Sequence, residues 1–113
     1  MKEVKAIIQP YMLESVCESL RAIVDLPGIS VSQVAGWGKT RDTGTDEMVV
    51  EGGCTFARKT KVEITIGDAL VDQVVCAIAR GAHTGNMGDG KIFISDVADV
   101  VKIRTGERGD AAL

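Results

Sequence analysis

Between Thr84 and Ile94 the chain reads TGNMGDGKIFI, and no other stretch gathers so much chemistry. Gly85, Gly88, Asp89 and Gly90 crowd together, Lys91 follows at once, and Ile92-Phe93-Ile94 form a β-branched and aromatic run. Glycines allow positive φ and let a ligand approach the main chain closely. Successive amide N–H groups in such a turn can form a concave nest for an anion, and a lysine at its rim adds a compact charge suited to phosphate. The stretch therefore predicts a phosphate-binding loop that feeds a strand. A glycine-rich turn with no ligand would account for the glycines equally well, because isolated glycine patterns are weak signals. A Walker A reading fails. Gly85 and Gly90-Lys91 have the spacing, but Ile92 stands where Ser or Thr must hold magnesium, and a strand rather than a helix follows.

Few other residues offer reactive chemistry. Cys17, Cys54 and Cys76 have no CxxC spacing, and an odd count argues against a disulfide framework or a zinc site. Cys17 and Cys76 fall in helical patterns as small core residues, while Cys54 lies in a glycine-flanked loop. A metal or redox role for Cys54, with the lone His83 as a companion, is weaker than that of an inert loop thiol. With 13 basic against 16 acidic residues the net charge is −3, which opposes nucleic-acid binding. No apolar run is long enough to cross a bilayer, and Lys2, Glu3 and Lys5 interrupt the start where a signal peptide would lie. The expected location is cytoplasmic. The chain has 113 residues, suiting one domain, and its 45% hydrophobic but only 4% aromatic content predicts an aliphatic core.

The elements that must position the loop can be read from periodicity. Lys2 to Ile8 alternates, with Val4, Ala6 and Ile8 on one face of a strand. Gln9-Pro10 stops it. Leu13, Val16, Cys17, Leu20, Ile23 and Val24 then recur at helical spacing, and Pro27-Gly28 predicts the end of that helix. Ile29 to Trp37 reads as a second strand. Gly38 to Arg58 shows no periodicity and predicts a long charged loop, with Met48-Val49-Val50 as a short apolar contact; a loop of this length in a small domain is usually functional. Lys61 to Ile66 alternates with Val62, Ile64 and Ile66 inward. Asp68 is a candidate N-cap for a helix carrying Val71, Val74, Val75, Ile78 and Ala79. The glycine loop and its strand follow, then a short irregular piece at Val97–Val100, a last short strand at Val101–Arg104 and a polar tail. Strand-helix-strand occurs twice, which predicts an α+β ferredoxin-like split βαβ sandwich, with a four-stranded antiparallel sheet and both helices on one face. The other sheet face, carrying Ile7, would stay partly bare, and self-association follows from that.

With these elements in place the sequence resembles the PII signal-transduction (nitrogen regulatory) family. KAIIQPYMLESV resembles its opening strand and helix, VAGWGK the strand end before its T-loop, ARKTKVEITI the strand leaving that loop, TGNMGDGKIFI its B-loop and IRTGERGDAAL its C-terminal loop. The resemblance covers the chain except Thr40 to Thr55. It implies a single PII-like domain over residues 1–113, with a T-loop at about 38–58, a B-loop at about 83–91 and a C-terminal loop at about 102–113. It also implies a homotrimer that binds ATP and ADP competitively in clefts between subunits, with magnesium a candidate companion, and that signals through the T-loop to a membrane transporter or metabolic enzyme. On this reading Gly88, Asp89, Gly90 and Lys91 cradle the phosphates. Gly36, Gly38 and Lys39 lie at the T-loop base beside the phosphate tail. Ile8, Glu63, Ile64 and Thr65 frame the adenine, and Lys102 and Arg104, with Ile29 and Ser30, come from the neighbouring subunit. The implied protein is a sensor and not an enzyme.

Three departures shape the expectation. The family tyrosine near the T-loop tip is missing, since Tyr11 is the only tyrosine and the matching region reads Val50-Glu51-Gly52-Gly53. Thr40 replaces the glutamine that helps hold magnesium and 2-oxoglutarate, so 2-oxoglutarate does not carry over with the resemblance, although Lys59 keeps the lysine that meets its carboxylate. Lys102 replaces an arginine and loses bidentate phosphate geometry. The opening AIIQPYML is similar to PII-like proteins found near heavy-metal efflux systems. Two other readings remain: a metal-binding or metal-efflux-associated trimer using Cys54, and a slow ATPase.

Overall fold

Alternation along β1 (Lys2–Ile8) buries Val4, Ala6 and Ile8. The same alternation along β4 (Cys54–Ile66) buries Thr60, Val62, Ile64 and Ile66. These strands pair antiparallel with Val4 opposite Ile64 and Ala6 opposite Val62, so their apolar positions form one continuous surface. Residues 1–37 and 48–113 are described in the computed structural model. The edges of the sheet are β2 (Ser30–Gly36) against β4 and β5 (Lys91–Asp96) against β1. The order β2-β4-β1-β5 makes each strand-helix-strand unit a split one, with a strand of the other unit inserted between its two strands.

Helix α1 (Leu13–Arg21) turns Val16 and Leu20 onto this surface, and α2 (Val71–Ala82) turns Val74, Ala77 and Ile78. Short 3-10 turns at Pro10–Met12 and Asp68–Leu70 lead into the two helices. The helices meet where Gly81 lacks a side chain. A Cβ there would stand 2.8 Å from the Val16 Cα and 3.0 Å from the Ser15 carbonyl oxygen.

The α+β ferredoxin-like expectation is met, and several local ones are corrected. Among the described residues the sheet has five strands, because β3 (Met48–Glu51) pairs antiparallel with the first residues of β4. The span 38–58 is therefore not all loop. Met48-Val49-Val50 belongs to a hairpin closed by Gly52-Gly53, whose φ values of 56° and 79° give the primed turn that matches strand twist. Ala57 faces both Gly36 and Met48, so β3 occupies the edge of β4 opposite β2. Helix α1 stops at Arg21, before Pro27-Gly28. Ile23 is still buried beyond it, but Val24 is exposed, and the chain turns at Asp25 with φ 60°. Asp68 does not cap: it opens the 3-10 turn that Gly67 precedes, Leu70 is the N-cap of α2, and the Asp68 carboxylate lies 3.0 Å from the Met1 amino group. Cys76 is exposed on α2 instead of buried, and Cys17 is half-buried. The strand expected at Val101–Arg104 is reduced to a bridge between Val101 and Arg108, and the polar tail folds into a 3-10 turn at Gly109–Ala112.

The sheet face away from the helices is mixed, not apolar. Register places Glu3, Lys5 and Ile7 of β1 level with Thr65, Glu63 and Lys61 of β4, and with Ser95, Phe93 and Lys91 of β5. Lys5 Nζ sits 5.4 Å from the centre of the half-exposed Phe93 ring.

Candidate functional site

The glycine loop is tied at both ends. Gly90 comes so close to β1 that a Cβ would stand 1.6 Å from the Ile7 carbonyl oxygen and 3.4 Å from the Ile8 Cα, and its φ is 98°. Close packing against the backbone alone thus demands glycine here. At the other end Asp89 folds its carboxylate back into the loop. It accepts the Thr84 amide at 2.8 Å, the Gly85 amide at 3.0 Å and the Thr84 hydroxyl. The Thr84 hydroxyl, and after it the Thr84 amide, hold the Asp89 carboxyl below the ordinary carboxylate range. Asp89 is therefore a brace whose charge is consumed inside the loop. Thr84, which sequence reasoning did not single out, is its partner. A threonine ahead of a Gly/Asp cluster is the only signal that pointed there.

Lys91 begins β5, opposite Ile7 and exposed. Lys59 reaches the loop from β4, donating from Nζ to the Gly88 carbonyl at 3.2 Å. Its stem passes beside Gly36, whose missing Cβ would lie 3.6 Å from Lys59 Cγ. Two lysines and the end of β2 thus meet at the loop. Gly38, Lys39 and Thr40 lie outside the described residues.

A second feature lies further along the same strand. A groove of about 400 Å³ is lined by Glu3, Gly28, Ser30, Glu63, Ile64 and Thr65, together with Pro27 and the last two residues. Ser30 faces Glu63 directly across β2 and β4, and Lys61 Nζ lies 3.3 Å from a Glu63 oxygen. One chain therefore already joins Ser30 to Glu63, whereas the resemblance assigned them to opposite sides of a cleft. Ile8 and Ile64 are buried in the core, so what they can offer a ligand is main chain. Ile29 packs against the core and lines a different hollow beside Cys17, Leu20 and Leu26. The four-residue step along β4 from Glu63 to Lys59 is roughly 13 Å at ~3.3 Å per residue. An elongated ligand, polar and planar at one end and anionic at the other, matches that layout.

Lys102 and Arg104 do not alternate along a strand. They flank Ile103 in a turn closed by Lys102 N–H to the Glu107 carbonyl at 2.9 Å and Gly106 N–H to the Lys102 carbonyl at 2.7 Å. Lys102 Nζ is 3.9 Å from Glu107, and Ile103 is 100% exposed. Among the described residues no group of three or more His, Cys, Asp and Glu side chains comes together, so the metal reading of Cys54 and His83 gains no support.

Comparison with known proteins places the chain beside one family. The family model described as nitrogen regulatory protein P-II matches residues 1–107. Nitrogen regulatory protein P-II 1 of Escherichia coli K12 is 46% identical over 115 residues, covering 100% of both chains. Nitrogen regulatory protein P-II of Bradyrhizobium diazoefficiens is 43% identical over 109 residues, covering 96% of each. Among solved structures, Arabidopsis thaliana PII bound to citrate superimposes with a TM-score of 0.79 at 36% identity, covering 99% of this chain and 91% of that one.

Proposed function

The chain belongs to the P-II nitrogen regulatory family, and from that premise we propose that it is an adenine-nucleotide sensor working as a homotrimer. ATP and ADP occupy clefts between subunits, and the segment around 38–58 carries the signal to a membrane transporter or metabolic enzyme in the cytoplasm. The observation that carries this reading is the glycine loop itself, braced by Asp89 and edged by Lys91, with Lys59 anchored on Gly88. Phosphates meet the amides of Gly88, Asp89 and Gly90 and the Lys91 charge. The groove supplies the base end, with the Glu63 carboxylate and Ser30 hydroxyl as hydrogen-bond acceptors and the Ile64 and Thr65 main chain as the floor. Lys102 and Arg104 are the cations that a neighbouring copy adds, and magnesium accompanies the phosphates.

The reading is of a binding module. Nucleotide changes partner affinity only to the extent that it binds the signalling segment's states unequally. Lys59 and Thr40 form the second input. With threonine at position 40, 2-oxoglutarate is a weak candidate, and the citrate bound to the plant relative makes a carboxylate anion the class to try.

The test is calorimetric titration of the purified trimer with ATP, ADP and AMP, with and without magnesium, 2-oxoglutarate and citrate, repeated on Lys91→Ala. Wild type should bind nucleotide, and Lys91→Ala should bind at least about tenfold more weakly, the worth of a charge-assisted contact. Equal affinity in the two, or no binding by wild type, would overturn the site. Phosphate release above background would replace the sensor with an ATPase.

A further inference from the structure

The turn that carries Lys102 and Arg104 is built around a residue outside the proposed cleft. Asp99 Oδ1 accepts the Val100 amide at 2.8 Å and the Gly109 amide at 3.1 Å, while Oδ2 accepts Arg108 Nη1 at 3.1 Å. The Gly109 amide also reaches the Val100 carbonyl at 3.0 Å, and Val101 bridges Arg108. One carboxylate thus gathers both legs of the turn, at 100 and at 108–109. Beyond that pinch the turn is held by its own hydrogen bonds and the Lys102–Glu107 pair, with the fully exposed Ile103 at the tip. An exposed loop with no core beneath it keeps its shape only if its base is fixed.

From this we infer that Asp99 is a positioning residue for nucleotide binding that acts in trans, setting the place of Lys102 and Arg104 in the neighbouring copy's cleft. The inference rests on the inter-subunit reading above. It goes further in naming a residue that touches no ligand and in predicting which copy's site it serves. A carboxylate here gives two separable things: oxygen acceptors for two amides and a charge for Arg108. The Arg108 pair is solvent-exposed, so most of the ordering comes from the amides.

The experiment uses three variants of the whole chain. Asp99→Ala should keep its trimeric state by light scattering and its melting temperature, yet bind ATP about tenfold more weakly in calorimetry. Asp99→Asn keeps an acceptor oxygen for the amides and should lose at most about threefold. Equal losses in the two would overturn the amide brace as the cause.

The decisive step mixes Asp99→Ala with Lys91→Ala copies, co-expressed with different tags and purified through both. If Asp99 serves the neighbour, every mixed trimer pairs one intact glycine loop with one intact turn, and one tight ATP site reappears. If Asp99 serves its own copy, every cleft stays defective and no tight site returns, which overturns the inference. Unchanged ATP affinity in Asp99→Ala, beside a loss in Lys91→Ala, would overturn it too while leaving the sensor reading intact. Unchanged affinity in Lys91→Ala would instead bring down the sensor reading.

Discussion

Gly90→Ala should cost the fold before it costs a ligand anything. The new Cβ would start 1.6 Å from the Ile7 carbonyl oxygen and 2.8 Å from its carbonyl carbon. Real Cβ atoms stay beyond 3.0 Å, so loop and strand must part by about 1.4 Å. Ile7 is opposite Lys91 in the β1–β5 ladder, so the parting falls on the first pair of that ladder. Losing one or two backbone hydrogen bonds costs about 1 kcal/mol each. An L-residue held at φ 98° adds about 1–3 kcal/mol, and the residual overpacking about 1–3 kcal/mol. The total, about 3–8 kcal/mol, is a large share of the ~5–15 kcal/mol that stabilises an ordinary domain. At ~4–8 °C per kcal/mol for a domain near this size, the midpoint should fall by more than about 10 °C. The assay is thermal unfolding by circular dichroism at matched protomer concentration, because assembly makes the midpoint concentration-dependent. An alanine variant that melts within about 2 °C of wild type and binds ATP equally well would refute the close approach. Loss of nucleotide in a Gly90 variant consequently says little about phosphate contact, which is why Lys91 carries the binding test.

Two other perturbations are read the same way. Gly81→Ala pushes a methyl group against the Val16 Cα and the Ser15 carbonyl. It should destabilise by about 1–3 kcal/mol in denaturant unfolding, because the two nearest atoms it meets are α1 backbone and cannot rotate away. The Asp89 brace predicts a pH effect with a definite sign. Its pKa is lowered in the folded loop, so the brace is fully present above the ordinary aspartate value and is lost as pH falls through the depressed one. Amide exchange at Thr84 and Gly85 should therefore stay slow at pH 4 in wild type. In Thr84→Val, which removes the hydroxyl contributing most to the shift, it should accelerate near that pH; identical profiles would remove the hydroxyl as the cause.

The parts legible in sequence were those in which burial writes a period. Val4, Ala6 and Ile8 in β1 and Val62, Ile64 and Ile66 in β4 sit under the helices, so their alternation is sharp. The hairpin escaped because Cys54, Thr55 and Val50 are exposed, and a strand without a buried face carries no alternation. Its readable signal was Gly52-Gly53 between two short β-prone runs. The end of α1 was misplaced for the opposite reason. Ile23 is buried from a turn and continues the helical apolar spacing after the helix has stopped. Asp68 had the composition of a cap, but the nearby Met1 amino group claims its carboxylate. In the site, glycines and lysines announced a loop, whereas Thr84 and Asp99 act by bonding to main chain nearby, and such residues look the same in any polar turn.

If the chain senses nucleotide as proposed, β4 is the route by which occupancy would reach the signalling segment. β4 is the common member: its middle supplies the core, its Glu63–Thr65 end the groove, and its first residues the hairpin with β3. Lys59 lies between these, its stem beside Gly36 where β2 ends and its ammonium on Gly88. An anion drawn to the loop competes with the Gly88 carbonyl for that ammonium. If the anion wins, Lys59 turns from bracing the loop to binding ligand, and its stem shifts against Gly36, where β2 ends. If the carbonyl keeps it, strand and loop stay joined as seen here. The two arrangements differ in the Lys59–Gly88 hydrogen bond, and a hydrogen bond to a charged group is of the same scale as a typical coupling free energy, about 1–3 kcal/mol. Lys59 is thus placed to make a ligand's differential affinity act on the strand ends, with no rearrangement of the buried core.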